Sequence, residues 1–120
     1  MQIFHKGSDN MQIELHQIAR EIYESGQRLN KGVGELFKLS KEMAESERDY
    51  RKALQLEIER LRLEKVQATL IPDIARGITS DLKFKRDLAE ARYKSGINSI
   101  NAIQQQMSGL QTIFRHYEDI

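Results

Sequence analysis

The chain has 120 residues, of which 39% are hydrophobic, 31% charged and 7% aromatic, a length that suits a single domain. It contains no cysteine, which excludes disulfides, thiolate metal sites and a cysteine nucleophile. The 19 basic and 18 acidic residues give a net charge of +1, so no global charge favours binding to nucleic acid or acidic lipid.

Residues 1–10 are predicted to be a tail, followed by a first helix over about residues 11–66, where no proline interrupts a helical period. Apolar and small residues recur along this helix in alternating steps of three and four, the heptad pattern of a coiled-coil seam. The bulky and small residues of this seam are Met11, Leu15, Ile18, Ile22, Leu29, Gly32, Leu36, Leu39, Met43, Tyr50 and Ala53.

A tip over residues 67–79 is predicted to hold a short helix, because Pro72 suits the first turn of a helix. A second long helix is predicted over about residues 80–117. Its seam has the cleanest heptad pattern in the chain and includes Tyr93, Gly96, Ile100, Ile103, Met107, Leu110, Phe114 and Tyr117. The sequence therefore predicts an all-α fold, in which residues 11–120 form one long antiparallel helical hairpin, a coiled coil with a short tip helix.

The register of this hairpin is predicted from the sizes of the seam residues. Placing Tyr50 opposite Gly96 and Phe114 opposite Gly32 lets bulky residues face small ones without clash or void. In that register the first seam residues of helix one extend past the end of helix two. These unpartnered residues are Met11, Leu15, Ile18 and Ile22.

Two arrangements would cover this overhang. The overhang could dock onto another subunit and give an oligomeric helical bundle, or a bend at residues 30–34 could fold residues 10–28 back as a third helix. We favour the homo-oligomer, because the heptad continues in phase through the glycines of residues 30–34.

Apolar residues outside the seam concentrate at the tip and comprise Leu56, Leu63, Leu70, Ile71, Ile74 and Ile78. They could form a small core beneath the short helix or a docking surface for a partner. Basic residues gather in the same region and comprise Arg60, Arg62, Lys65, Arg76, Lys83, Lys85 and Arg86. Most are expected to pair with acidic neighbours, and a nucleic-acid surface is the alternative interpretation.

The sequence offers no catalytic or metal-binding pattern. His5, His16 and His116 share no metal-ligand spacing with one another or with acidic residues, and no glycine-rich phosphate-binding motif is present. We therefore expect a protein that is not an enzyme and that uses no metal or other cofactor.

The segment ATLIPDIARG (68–77) is followed by DLK (81–83), RDLAE (86–90) and Tyr93-Lys94, and it is preceded by Glu47 and Tyr50. Over about residues 35–117 this pattern resembles small helical proteins from the early DNA-metabolism regions of bacteriophages and prophages of Gram-positive bacteria. The resemblance implies a setting beside phage replication and recombination proteins. It carries over no catalytic or ligand residue.

Together these observations predict a non-enzymatic, homo-oligomeric interaction protein that serves as an accessory factor in phage DNA replication or recombination. Its partner would be another phage or host protein. The alternatives are a recombination mediator that binds nucleic acid and a phage inhibitor of a host enzyme or defence protein. No apolar run approaches the ~20 residues of a membrane span, and the first residues lack a signal-peptide core. We therefore expect no membrane partner and a cytoplasmic location in an infected or lysogenic host.

Overall fold

The computed structural model describes residues 2–119, with side chains from residue 10 onward, and Met1 and Ile120 lie outside it. Within that range the regular elements are three α-helices, α1 (Gln2–Leu63), α2 (Ile71–Ile78) and α3 (Ser80–Glu118). The predicted all-α fold, a helical hairpin with a short tip helix, is confirmed. Helix α1 starts at Gln2, where a tail was predicted, and no proline interrupts residues 2–10.

The end of α1 is fixed by a Schellman motif built on a residue other than glycine. Lys65 has a φ of 61°, and its N–H donates to the carbonyl of Arg62 while the N–H of Val66 donates to the carbonyl of Leu61. Val66 also packs against Leu61, the apolar contact that accompanies this motif. The helix therefore ends at Leu63, before the predicted boundary at residue 66.

The chain divides into two compact units. Residues Leu36–Gly96 form one, which we call the central unit, and Met1–Glu35 with Ile97–Ile120 form the other, which we call the terminal unit. In the central unit, Leu61, Ile71 and Ala75 form a buried apolar cluster between the end of α1 and α2. The hydroxyl of buried Thr79 donates to the carbonyl of Ala75 at 2.8 Å, so it stabilises the end of α2.

In both units the predicted seam residues are the ones that lose solvent exposure. All the predicted seam residues, from Met11 to Ala53 on α1 and from Tyr93 to Tyr117 on α3, are buried or half-buried, whereas most intervening positions are exposed. The heptad pattern therefore identified the faces along which α1 and α3 pack within each unit.

The predicted register, in contrast, is wrong. In the central unit a Cβ added to Gly96 would lie 3.1 Å from Leu39 Cδ1 and 3.2 Å from Leu36 Cδ1, so Gly96 packs on these leucines and not on Tyr50. In the terminal unit, a Cβ added to Gly32 would lie 3.4 Å from Ile100 Cγ1. Both glycines are displaced by about two heptads from their predicted partners, a shift that keeps the same faces in contact.

The cause of this error lies in the connection between the helices. The sequence interpretation treated residues 67–79 as the turn, but the non-helical connection is residues 64–70, and α2 packs beside the last turns of α1 through Leu61. Helices α2 and α3 therefore both run back along α1, and the helices pair closer to the start of α1 than predicted.

This shift removes the predicted overhang. Tyr117 donates a 2.8 Å hydrogen bond to Glu14 in the terminal unit, so the end of α3 lies beside the early turns of α1. The four residues predicted as oligomer contacts are half-buried in this hairpin, and their role in assembly stays a prediction. They are Met11, Leu15, Ile18 and Ile22. The fold-back of residues 10–28 is wrong, because α1 is continuous through residues 30–34.

Candidate interaction surfaces

Helix α2 buries one face and presents an aliphatic row on the other. Ile71 and Ala75 point into the apolar cluster, whereas Leu70, Ile74 and Ile78 remain 39–50% exposed. These three residues follow one another at steps of four, so they form a continuous row that begins at Leu70, the N-cap residue of α2, and runs along this eight-residue helix. We call this row the tip stripe. Of the six apolar tip residues predicted from the sequence, Ile71 belongs to the core, and the tip stripe, Leu56 and Leu63 are exposed.

A groove lies where α1 ends and α2 begins. It is largely apolar and carries one basic side chain, with a lining of Ile58, Arg62, Val66, Ala68, Ile71 and Pro72. The Schellman motif turns the chain back toward α1 and thereby places Val66 beside Leu61. We call this depression the tip groove. The sequence pattern does not reveal this groove, because the motif that shapes it lacks its usual glycine.

Some of the basic residues near the tip are engaged by neighbouring carboxylates. The guanidinium of Arg60 donates to Glu57 at 2.8 Å and to Glu64 at 2.9 Å, and these hydrogen bonds raise the pKa of Arg60 above its ordinary value. Arg76 pairs with Asp73 at 3.4 Å, one turn away on α2. The charges of these arginines are thus balanced along their own helices, as the sequence predicted for most of this group.

A second set of basic residues converges on Asp87. Arg86 pairs with this carboxylate at 3.0 Å and Lys83 at 3.2 Å, and the hydrogen bonds from Arg86 and then Lys83 hold the pKa of Asp87 below its usual value. Arg86 also lies 3.6 Å from Glu47 and stacks over the Tyr50 ring, with its Cζ 5.0 Å from the ring centroid. Arg86 therefore acts as a packing and ion-pairing residue in the central unit.

The side chains of three of the seven basic candidates make no ion pair or hydrogen bond within the described part of the chain. They are Arg62 on the tip groove, Lys65 in the turn and Lys85 on α3. Lys85 lines a depression in the central unit where its charge, together with that of Arg92, faces Glu42, Glu45 and Asp49 of α1. The uncommitted positive charge next to the apolar tip residues thus comes from Arg62 and Lys65.

The terminal unit has one polar edge and one uncharged edge. On the polar edge the guanidinium of Arg28 donates to the amide oxygen of Gln106 across the helices at 3.2 Å. On the opposite side of the seam the outward rows carry no charged side chain over residues 19–33 of α1 and 101–111 of α3, and Arg115 and Glu118 follow further along α3. These rows comprise Ala19, Tyr23, Gly26, Asn30 and Val33 on α1, and Asn101, Gln104, Ser108 and Gln111 on α3. We call this set the uncharged face.

Large apolar side chains are exposed on the uncharged face, with Tyr23 67% and Val33 56% accessible. The helix that contributes its other half has no charged residue from Ser95 to Phe114. This run of twenty uncharged residues in a chain that is 31% charged is a signal that the sequence analysis missed. The uncharged face is therefore a property of the sequence that only the paired helices bring together.

The remaining features of the described residues add no chemical site. No cluster of three or more potential metal-binding side chains occurs between residues 10 and 119, and no helix there has the length and apolarity to cross a membrane. No protein-family model, curated protein or solved structure matches this chain.

Proposed function

We propose that this chain is a non-enzymatic interaction protein that binds an apolar, acidic segment of another protein at the hairpin tip. The observation that carries this proposal is the amphipathic character of α2. One face of this helix is buried in the core of the central unit, whereas the other exposes the tip stripe beside the tip groove. The proposed site is thus an apolar surface next to uncommitted positive charge.

Burial of the tip stripe is the source of binding energy in this proposal. Removal of apolar area from water contributes roughly 25 cal/mol per Å², and contiguous apolar patches on soluble proteins are typical of binding sites. The row of Leu70, Ile74 and Ile78 has the spacing that packs against one side of a partner helix or into a shallow groove. The tip groove alongside would take one apolar anchor of the partner.

The unpaired basic residues define the charge of the partner. Arg62 lines the tip groove and Lys65 lies in the adjoining turn, and neither has an acidic partner in the described structure. A carboxylate of the bound segment would meet these cations without displacing an internal ion pair, and it would steer association and orientation. Arg60, which is held by Glu57 and Glu64, would contribute less.

The biological setting in this proposal comes from the sequence resemblance. An oligomeric accessory factor of phage DNA replication or recombination would use the tip to engage another protein of that machinery. An inhibitor of a host enzyme or defence protein would use the same docking chemistry on a different target. The tip surface is compatible with either role. Identifying the protein that contains the bound segment would distinguish the accessory factor from the inhibitor.

Binding of peptides to the intact chain tests the proposed function. Segments selected from a library of short peptides should combine aliphatic or aromatic residues with aspartate or glutamate. Calorimetry should show that Ile74→Glu and Arg62→Glu each weaken a selected peptide at least about tenfold. Arg92→Glu is the matched control, since it reverses another unpaired charge of the central unit away from the tip, and it should leave the affinity within about twofold.

Two outcomes would contradict this proposal. If the selected peptides bind Ile74→Glu and Arg62→Glu as tightly as the wild-type chain, the tip is not the docking surface. Single-stranded DNA that binds in a strongly salt-dependent manner, and is lost in Arg62→Glu but retained in Ile74→Glu, would favour the nucleic-acid mediator instead.

A further inference from the structure

The uncharged face of the terminal unit leads to an inference that is independent of the tip. We propose that this face binds the same face of a second copy of the chain, so that two hairpins form a two-fold symmetric dimer. The contact would be made by exposed residues flanking the seam and not by the seam residues first considered from the sequence, which are occupied within the hairpin.

The surface area of the chain supports an additional interface. The protein exposes 9511 Å², whereas a compact monomer of 14.0 kDa exposes about 6,700 Å². The excess is well above the roughly 800 Å² that each partner contributes to a standard protein–protein interface. Among the side chains that the structure describes in the terminal unit, that of Ser25 is the fully buried one, so the two paired helices form little core there.

Charge identifies a second copy as the occupant. A partner that covers the uncharged face must itself carry few charges there, because an unpaired charge buried against Tyr23, Asn30 and Val33 would lose its hydration. The opposite edge of the same unit carries Arg28 and Glu14 and does not meet this requirement. The uncharged face of a second copy meets this requirement, because neither of its two helices places a charge on it.

The sizes of the α1 residues suggest the register of this dimer. In a two-fold interface each contact occurs twice, with the two residues exchanged between the copies. If the axis passes near Gly26 and the two α1 helices run antiparallel, Ala19 of one copy lies opposite Val33 of the other, and Tyr23 lies opposite Asn30. The two copies of Gly26 then meet at the axis, where the absence of side chains allows close approach.

Sedimentation and light scattering of the full chain test the dimer directly. We expect twice the chain mass of 14.0 kDa in the micromolar range. Asn30→Lys places a charge on the uncharged face and should shift the protein to the monomer, whereas Ala102→Lys places the same charge on the polar edge, one turn from Gln106, and should not. Both positions are exposed, so circular dichroism should show unchanged helix content. A wild-type monomer, or a dimer that persists in Asn30→Lys, would overturn the inference.

Cysteine cross-linking then tests the register, because the chain has no cysteine of its own. Gly26→Cys should form an intersubunit disulfide under mild oxidation, since both copies lie at the proposed axis. Gly109→Cys is the matched control, with open space around it and no position on the uncharged face, and it should cross-link at least about tenfold more slowly. Equal rates, or a faster reaction of Gly109→Cys, would exclude contact through this face near Gly26.

Discussion

The central and terminal units use the same heptad seam, but they bury it differently. In the central unit a third element, α2, covers the end of α1, and apolar residues such as Leu61, Ile71 and Ala75 are buried. In the terminal unit α1 and α3 pack on each other without a third helix from the described chain, and Ser25 is the one buried residue among residues 10–35 and 97–119.

This difference shows how much a third layer contributes to a two-helix seam. Where α1 and α3 are the only layers, apolar seam residues remain half-buried, and polar contacts such as Arg28–Gln106 and Tyr117–Glu14 join the helices at the edges. Exposed polar contacts of this kind contribute less than apolar burial. The central unit should therefore be the more stable of the two, and the terminal unit should exchange its amide hydrogens earlier.

The largest expected effect is at the apolar cluster of the central unit. Leu61 is 4% exposed and touches both Ile71 and Ala75, so Leu61→Ala should lower the free energy of unfolding by about 3 kcal/mol. Leu56→Ala is the control, because Leu56 lies on the same helix but is 65% exposed, and it should cost about 0.5 kcal/mol or less. Urea unfolding monitored by circular dichroism measures both. Similar losses in the two variants would show that α2 does not form a core with α1.

The next effect tests the close approach of the helices in the central unit. A side chain at Gly96 would collide with Leu36 and Leu39, so Gly96→Leu should be destabilising by about 2 kcal/mol. Gly109, in the terminal unit, has nothing within 4 Å of an added Cβ, and Gly109→Leu should be neutral or stabilising by up to about 1 kcal/mol. The same unfolding measurement applies. A tolerated leucine at position 96 would contradict the observed register.

The seam and the register differ in how far the sequence determines them. Heptad spacing identified the residues that lose exposure on both long helices, because burial of one face is a local property of a helix sequence. The register is not local in this sense. A shift by whole heptads brings the same rows into contact, so pairing Gly96 with Tyr50 or with Leu36 satisfies the pattern equally well.

The position of the turn decides between these registers, and the sequence carries no glycine that would indicate where the turn begins. The reversal begins at Lys65, where the backbone adopts a conformation that usually indicates glycine. Pro72 correctly indicated the start of a short helix, but the pattern did not reveal that Ile71 and Ala75 would pack back on Leu61. The tip groove depends on that packing and could not be predicted. The uncharged face could not be predicted either, because it forms only when the rows of α1 and α3 lie side by side in the paired helices.

A smaller effect of opposite sign is expected at this turn in the central unit. Lys65 holds a left-handed conformation that costs a non-glycine residue roughly 1 kcal/mol. Lys65→Gly should therefore raise the free energy of unfolding by about 0.5–1 kcal/mol. Lys65→Ala is the control, since it removes the same charge and keeps the Cβ, and it should give no such gain. Stabilisation by alanine as large as that by glycine would point to charge and not to backbone conformation.

The smallest expected effect is a pH dependence of the stability of the terminal unit. The hydrogen bond to Glu14 raises the pKa of Tyr117 above its usual value of 10.0. Because the folded state holds the neutral phenol, this contribution to stability is fully present below pH 10 and is lost as the pH rises through the higher folded pKa. The loss should be slight, since the pair is solvent-exposed.

The titration of Tyr117 also reports the register in the terminal unit. Glu14→Gln should return the pKa of Tyr117 toward 10.0 in a carbon-13 titration of the tyrosine rings, whereas Glu21→Gln, two turns further along the same edge of α1, should leave it raised. The register predicted from residue sizes would place Tyr117 beside Leu29, far from Glu14. If the pKa of Tyr117 stays raised in Glu14→Gln, Glu14 is not its hydrogen-bond partner. That outcome would contradict the placement of the end of α3 beside the early turns of α1.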